Sequence, residues 1–122
     1  MHALRILHRL LSTRLPELHA KRLASLLAAV EAVVSGSRLT LSDVGRGLPG
    51  PVAVKHNIKR IDRLLGNGSL HAEMPKLYEA LVRNSLAGIS LPLIVVDGSD
   101  LTPDRHWQWL RASVAMEGRS MT

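Results

Sequence analysis

A carboxylate at the end of an apolar run is the first feature of this sequence that could do chemistry. Residues 91–96 are apolar and rich in β-branched side chains, which predicts a buried strand, and Asp97 follows directly. Ligands often bind where such strands end, and a carboxylate there suits Mg²⁺. Two such ions could promote phosphodiester cleavage or transfer. From these residues alone, however, a turn over residues 97–100 is the simpler interpretation.

A row of basic residues is the second such feature. Residues 52–65 have the periodicity of a helix that is apolar on one side and basic on the other. The apolar arc contains Val54, Ile58, Ile61 and Leu65. The basic arc contains Lys55, His56, Lys59, Arg60 and Arg63. Such a row can neutralise DNA phosphates, although a charged helix surface usually marks only contact with water.

The composition also favours an anionic partner. Among 122 residues, 16 lysines and arginines outnumber 10 acidic residues, which gives a net charge of +6. Cysteine is absent, which excludes a disulfide partner and thiolate zinc sites. No apolar stretch approaches the roughly 20 residues that a membrane span needs. A nucleotide hydrolase is excluded because the phosphate-binding G-x-x-x-x-G-K-[ST] loop is missing. We expect a cytoplasmic protein without a membrane partner.

The elements that must position these residues are helices first and strands last. Thr40 to Asp43 has the pattern of a capping box, which predicts a short helix that ends by Gly47. A turn rich in glycine and proline joins this short helix to the basic helix. The pattern predicts a helix-turn-helix-like arrangement. Helices are expected over about residues 2–11, 16–34, 40–47, 52–65 and 72–86, and strands over about 91–96 and 107–116.

The change of pattern near Gly88 predicts two domains. Residues 1–88 form a mainly α-helical domain. Residues 89–122 supply only two strands, and an isolated pair of strands is marginally stable in water. We therefore interpret residues 89–122 as the beginning of a second domain.

The basic helix also carries the sequence most typical of a known family. Residues 55–67, Lys-His-Asn-Ile-Lys-Arg-Ile-Asp-Arg-Leu-Leu-Gly-Asn, followed by Leu70-His71, resemble the N-terminal region of bacterial insertion-sequence transposases of the IS-four family. These are cut-and-paste enzymes of the DDE type. Further segments agree in the same order, so the resemblance covers essentially the whole chain. They are residues 16–19, 21–23, 40–49, 96–100, 110–115 and 118–120.

The resemblance implies both a partner and a chemistry. In that family a helical N-terminal domain binds double-stranded DNA at the transposon's terminal inverted repeats, and Arg46 joins the basic arc among the candidate DNA contacts. An RNase H-like α/β domain follows, in which two aspartates and a glutamate hold two Mg²⁺ ions. Asp97 matches the first catalytic and metal-binding aspartate. Gly98 departs from the tryptophan expected in the closest branch of the family.

The resemblance places the other two family carboxylates beyond Thr122. One carboxylate cannot position two metal ions, so we expect a truncated transposase that binds transposon ends but does not cut DNA by itself. It would be associated with the bacterial nucleoid, and an intact transposase would be a second partner. The alternative is a stand-alone helix-turn-helix DNA-binding protein or an inhibitor of transposition. A membrane-surface protein is disfavoured because the apolar arcs are needed for a core.

Overall fold

The computed structural model describes residues 2–116 and 119–121 of the protein. Over this range five helices are followed by three strands, so the predicted order of a mainly helical part and then strands is confirmed. The chain divides into two compact units, Met1–Arg83 and Asn84–Thr122. The helices are α1 (His2–Arg14), α2 (Ala20–Val34), α3 (Leu41–Gly47), α4 (Val54–Leu65) and α5 (Gly68–Ser85). The strands are β1 (Ile94–Asp100), β2 (Gln108–Met116) and β3 (Arg119–Met121).

Two apolar clusters hold the helical unit together. Helix α4 contributes Leu64 to the larger cluster and Ile61 to the smaller one, so the core fixes this helix through two contacts. Aliphatic side chains fill both clusters, as expected of a chain without phenylalanine. The larger cluster contains Leu11, Leu15, Leu18, Leu23, Leu27, Leu64, Leu70, Leu77 and Ala80. The smaller cluster contains Ala32, Val44, Leu48 and Ile61.

The first two helices differ from the prediction at the segment that joins them. Helix α1 continues to Arg14, and Ser12 lies within it, with its hydroxyl donating to the carbonyl of Arg9 at 3.2 Å. Helix α2 begins at Ala20 rather than at Pro16, and residues 16–18 form a turn. This turn allows Leu15 and Leu18 to enter the core.

The last two helices are joined more tightly than expected. Helix α5 begins at Gly68 rather than near residue 72, because the Asn67 side-chain oxygen accepts a hydrogen bond from the Leu70 N–H at 2.9 Å. Asn67 is therefore a helix N-cap as well as part of the break after α4. Only Gly66 and Asn67 separate the two helices.

The apolar arc predicted for α4 is only partly buried, and one apolar residue of α2 is likewise exposed. Val34 and Leu65 are 62% and 60% exposed, whereas Ala32 and Leu64 are buried. The reason is that α4 must contact both clusters, which turns the Ile61 and Leu64 side of the helix inward. Val34 and Leu65 instead line an apolar groove of about 380 Å³ in the helical unit.

The strand unit is an antiparallel sheet in the order β1-β2-β3. The prediction of a strand over 107–116 is confirmed by β2. The prediction of a buried strand over 91–96 is wrong in two respects, since β1 begins at Ile94, continues to Asp100 and is exposed throughout. β-Branched residues favour an extended backbone whether or not the sheet faces are covered, so composition alone did not establish burial.

No described helix is both long enough and apolar enough to cross a membrane.

Candidate nucleic-acid interface

A close crossing of α3 and α4 sets the position of the basic helix. A Cβ atom placed on Gly45 of α3 would lie 2.6 Å from Ile58 Cγ1 and 2.7 Å from Ile58 Cα. The two helix backbones therefore meet at a point where only glycine fits without movement. This glycine is the local sequence feature that allows the helical corner to form.

The start of α3 is fixed by the predicted cap. The Asp43 N–H donates to the Thr40 hydroxyl oxygen at 3.1 Å, and the Thr40 hydroxyl donates to an Asp43 carboxylate oxygen at 2.9 Å. Thr40 is therefore the N-cap of α3, as the Thr40 to Asp43 pattern indicated.

The connection between α3 and α4 is anchored at both ends. Leu48 is buried in the smaller cluster, and the Asn57 side-chain amide donates to the Val52 carbonyl at 3.4 Å. Asn57 is only 4% exposed, so this contact also supplies a partner for a buried polar group. Residues 48–53 make a connection longer than the roughly three to four residues of the usual helix-turn-helix corner.

Four of the predicted contacts form one exposed surface, the α4 basic face: Lys55, His56, Lys59 and Arg63. Within residues 2–116 and 119–121, the side chains of Lys55, Lys59 and Arg63 make no ion pair or hydrogen bond. These three residues are spaced four apart, which places them along one side of the helix. The surface is therefore cationic, and no acidic side chain of the described chain forms an ion pair with these three groups.

The other two predicted contacts lie in different surroundings. Arg60 is half-buried and donates from Nε at 3.3 Å and from Nη2 at 3.2 Å to the Ser25 hydroxyl of α2. Arg46 of α3 is exposed, and its Nη1 lies 3.4 Å from an Asp43 carboxylate oxygen. The sequence pattern placed Arg60 on the same arc as Lys59, but its side chain turns toward α2.

Sequence reasoning about the basic arc missed the contribution of α2. A depression of about 390 Å³, the α2–α4 pocket, brings basic residues of α2 beside those of α4. Lys21 and Arg22 entered the prediction only through the family resemblance. An adjacent basic pair was a signal, but periodicity within one helix cannot show which second helix lies beside it. The pocket is lined mainly by His19, Lys21, Arg22, Ser25, Arg60 and Arg63.

Asp97 lies within a strand rather than at its end. It pairs across the sheet with Arg111 of β2, whose Nη2 is 2.8 Å from the Asp97 carboxylate. In the part of the chain that the structure describes, no three histidine, aspartate or glutamate side chains are grouped so that they could hold a metal ion. Metal binding by Asp97 therefore stays a prediction.

The acidic residues after Asp97 stabilise the β1–β2 loop. The Thr102 hydroxyl and then the His106 N–H, at 3.1 Å, hydrogen-bond to the Asp104 carboxylate and lower the pKa of Asp104 below its ordinary value. Asp100 forms an ion pair with Arg105 at 3.3 Å. These contacts give both carboxylates a structural role in the loop.

Comparison of the chain with protein-family models, curated proteins and solved structures found no match. Its function must therefore be inferred from the residues themselves. Among the described residues, the α4 basic face and the α2–α4 pocket concentrate positive charge, and both belong to the helical unit.

Proposed function

We propose that the helical unit binds double-stranded DNA and that the α4 basic face contacts its phosphates. The supporting observation is the exposed row of Lys55, Lys59 and Arg63, whose side chains form no ion pair with any described residue. Like charges four residues apart destabilise a helix by roughly 0.2–0.5 kcal/mol per pair, so the row opposes folding unless an anion relieves it. A polyanion such as DNA relieves this repulsion, because the protein's cations bind its phosphates and release the condensed counterions.

The dimensions of α4 suit a DNA groove. An α-helix with its side chains is about 10–12 Å across. The major groove of B-form DNA is also about 12 Å wide and admits an α-helix. The crossing at Gly45 and the buried side of α4 hold the helix rigidly, while its basic face remains exposed. This arrangement supports a helix-turn-helix-like role in which α4 is the DNA-contacting helix.

The resemblance of residues 55–67 supports a more specific proposal. On this proposal the chain is the N-terminal part of an IS-four-type transposase, associated with the bacterial nucleoid, and its DNA is the transposon's terminal inverted repeat. The antiparallel β1–β2 pair would begin an RNase H-like domain. On this proposal the chain alone holds no Mg²⁺ productively, because one carboxylate cannot position two metal ions.

A stand-alone DNA-binding protein or transposition inhibitor is the second candidate. The observation in its favour is that the helical unit has its own two-cluster core. Such a protein would occupy transposon ends, or form mixed complexes with an intact transposase.

Charge reversal of the α4 basic face tests DNA binding. The affinity of the full chain for a fluorescent 30-base-pair duplex is measured by anisotropy over a range of salt concentrations. For the triple variant Lys55→Glu, Lys59→Glu, Arg63→Glu, we expect strong loss of affinity and a slope of log K against log salt reduced by about 3, near 0.9 per lost phosphate contact. The control reverses Lys76 and Arg83, exposed cations of α5. Equal binding by the triple variant and the wild type would contradict the proposal.

The two candidate functions differ in the DNA they select. Duplexes that the chain enriches from a random pool are sequenced, and the sequence motif that they share is located in the source genome. If the chain belongs to a transposase, these sites should occur as paired inverted copies at the two ends of a mobile element. Unpaired sites near unrelated genes would favour the stand-alone DNA-binding protein.

A further inference from the structure

We propose that the α2–α4 pocket binds one DNA backbone phosphate beside the α4 basic face, so that the DNA contact surface extends onto α2. This inference rests on the proposed function, because it assumes that the helical unit binds DNA. It adds Lys21 and His19 to the interface and assigns Arg60 a phosphate contact different from that of its helix neighbours.

The pocket keeps an excess of positive charge. Arg22 forms an ion pair with Glu73 of α5, so its charge is largely neutralised. Arg60 bonds to the hydroxyl of Ser25, which is neutral, and its charge therefore remains. Lys21 and Arg63 make no ion pair with any described residue. A single anionic group in the pocket would be opposed by three uncompensated cations.

The side chain of Arg60 is already oriented before an anion binds. Its Nε and Nη2 both donate to Ser25, which fixes the plane of the guanidinium group and leaves its other N–H groups without a described partner. A planar guanidinium can donate two parallel hydrogen bonds to a phosphate, and prior positioning reduces the entropy lost on binding. The half-buried position of Arg60 also limits the competition from water that a fully exposed cation meets.

The pocket is continuous with the α4 basic face through Arg63, which belongs to both. A DNA strand that contacts Lys59 and Arg63 can therefore continue toward α2 without crossing an uncharged surface. The pocket volume of about 390 Å³ leaves room for a phosphate group and its hydration. His19, at the N-cap of α2, makes no capping bond with its side chain, so the positive end of that helix adds to the potential.

Single neutralising substitutions test the pocket. Lys21→Gln and Arg60→Gln are each compared with the wild type in the anisotropy titrations, using the full chain and a duplex of arbitrary sequence. Lys76→Gln is the control because it removes one positive charge from an exposed lysine of α5 that pairs with Glu17 and does not line the pocket. Loss of one phosphate contact lowers the salt slope by about 0.9, which corresponds to about eightfold weaker binding at 0.1 M salt. Both pocket variants should show this change, and Lys76→Gln should not.

The outcomes separate the pocket from the α4 basic face. If Lys59→Gln weakens binding but either Lys21→Gln or Arg60→Gln binds as the wild type does, the pocket is overturned and DNA binding by α4 stands. If the wild type shows no salt-dependent binding to duplex DNA, both proposals are overturned. Circular dichroism of Arg60→Gln confirms that the helices are intact, and the exposed residue Lys21 provides a variant that leaves the packing unchanged.

Discussion

Replacing Gly45 with alanine tests the helix crossing that positions the α4 basic face. The added Cβ atom would lie 2.6 Å from Ile58 Cγ1, 2.7 Å from Ile58 Cα and 2.9 Å from Ile58 N. A flexible side chain could rotate away, but the last two atoms belong to the backbone of α4. The helices must therefore separate, which loosens the contact of Val44 and Ile61 in the smaller cluster.

The expected loss of stability is the difference between two effects. Overpacking a well-packed contact costs about 1–3 kcal/mol, and the backbone clash at Ile58 places Gly45→Ala near the upper value. Alanine within a helix is about 1 kcal/mol more favourable than glycine. The free energy of unfolding should therefore fall by about 2 kcal/mol, a large part of the roughly 5–15 kcal/mol typical of a domain.

Urea unfolding followed by circular dichroism at 222 nm measures this change. With a slope of about 1–2 kcal/mol per molar urea, the midpoint of Gly45→Ala should fall by about 1–2 M. Gly68→Ala is the matched control, because a Cβ at Gly68 meets nothing within 4 Å. Its midpoint should stay the same or rise slightly. A Gly45→Ala midpoint at or above that of the wild type would refute the close crossing.

Three further predictions concern a helix cap, a loop carboxylate and the strand unit. Thr40→Ala removes the N-cap of α3 and should lower the free energy of unfolding by about 1 kcal/mol in the same urea assay, and an unchanged midpoint would contradict the cap. NMR titration should show the pKa of Asp104 below its ordinary value and raised by Thr102→Ala. The loop contact therefore stabilises the fold at pH values above the ordinary carboxyl pKa, and this contribution is lost as the pH falls through the lowered pKa. An ordinary pKa of Asp104 in the wild type would contradict the contact. With Mg²⁺ or Mn²⁺, the wild type and Asp97→Ala should both leave DNA intact, and cleavage lost only in Asp97→Ala would contradict this expectation.

The sequence predicted a helix end correctly where the atoms that form it are only a few residues apart in the chain. The Thr40 to Asp43 pattern specified the start of α3, because the cap is formed by atoms three residues apart. Glycine and asparagine after residue 65 marked the end of α4. The same asparagine also begins α5, which moved that helix start to Gly68.

Features that depend on neighbouring elements could not be predicted from one helix or strand. The buried side of α4 is set by two clusters, so Leu64 is buried and Leu65 is exposed although both are apolar. Arg60 turns toward α2, where its guanidinium donates to the hydroxyl of Ser25, 35 residues earlier. Asp97 faces Arg111 because of the register between β1 and β2, and the composition of the two strands does not specify that register.

NMR titration with duplex DNA tests the central claim most directly, because it locates the contact without any substitution. The isotope-labelled 122-residue chain is titrated with a 30-base-pair duplex at low salt, and changes in amide signals are assigned along the chain. DNA binding by the α4 basic face predicts the largest changes within Val54–Leu65, with changes near Lys21 if the α2–α4 pocket takes part. Changes confined to α1, α5 or the strands, with α4 unaffected at saturation, would contradict it.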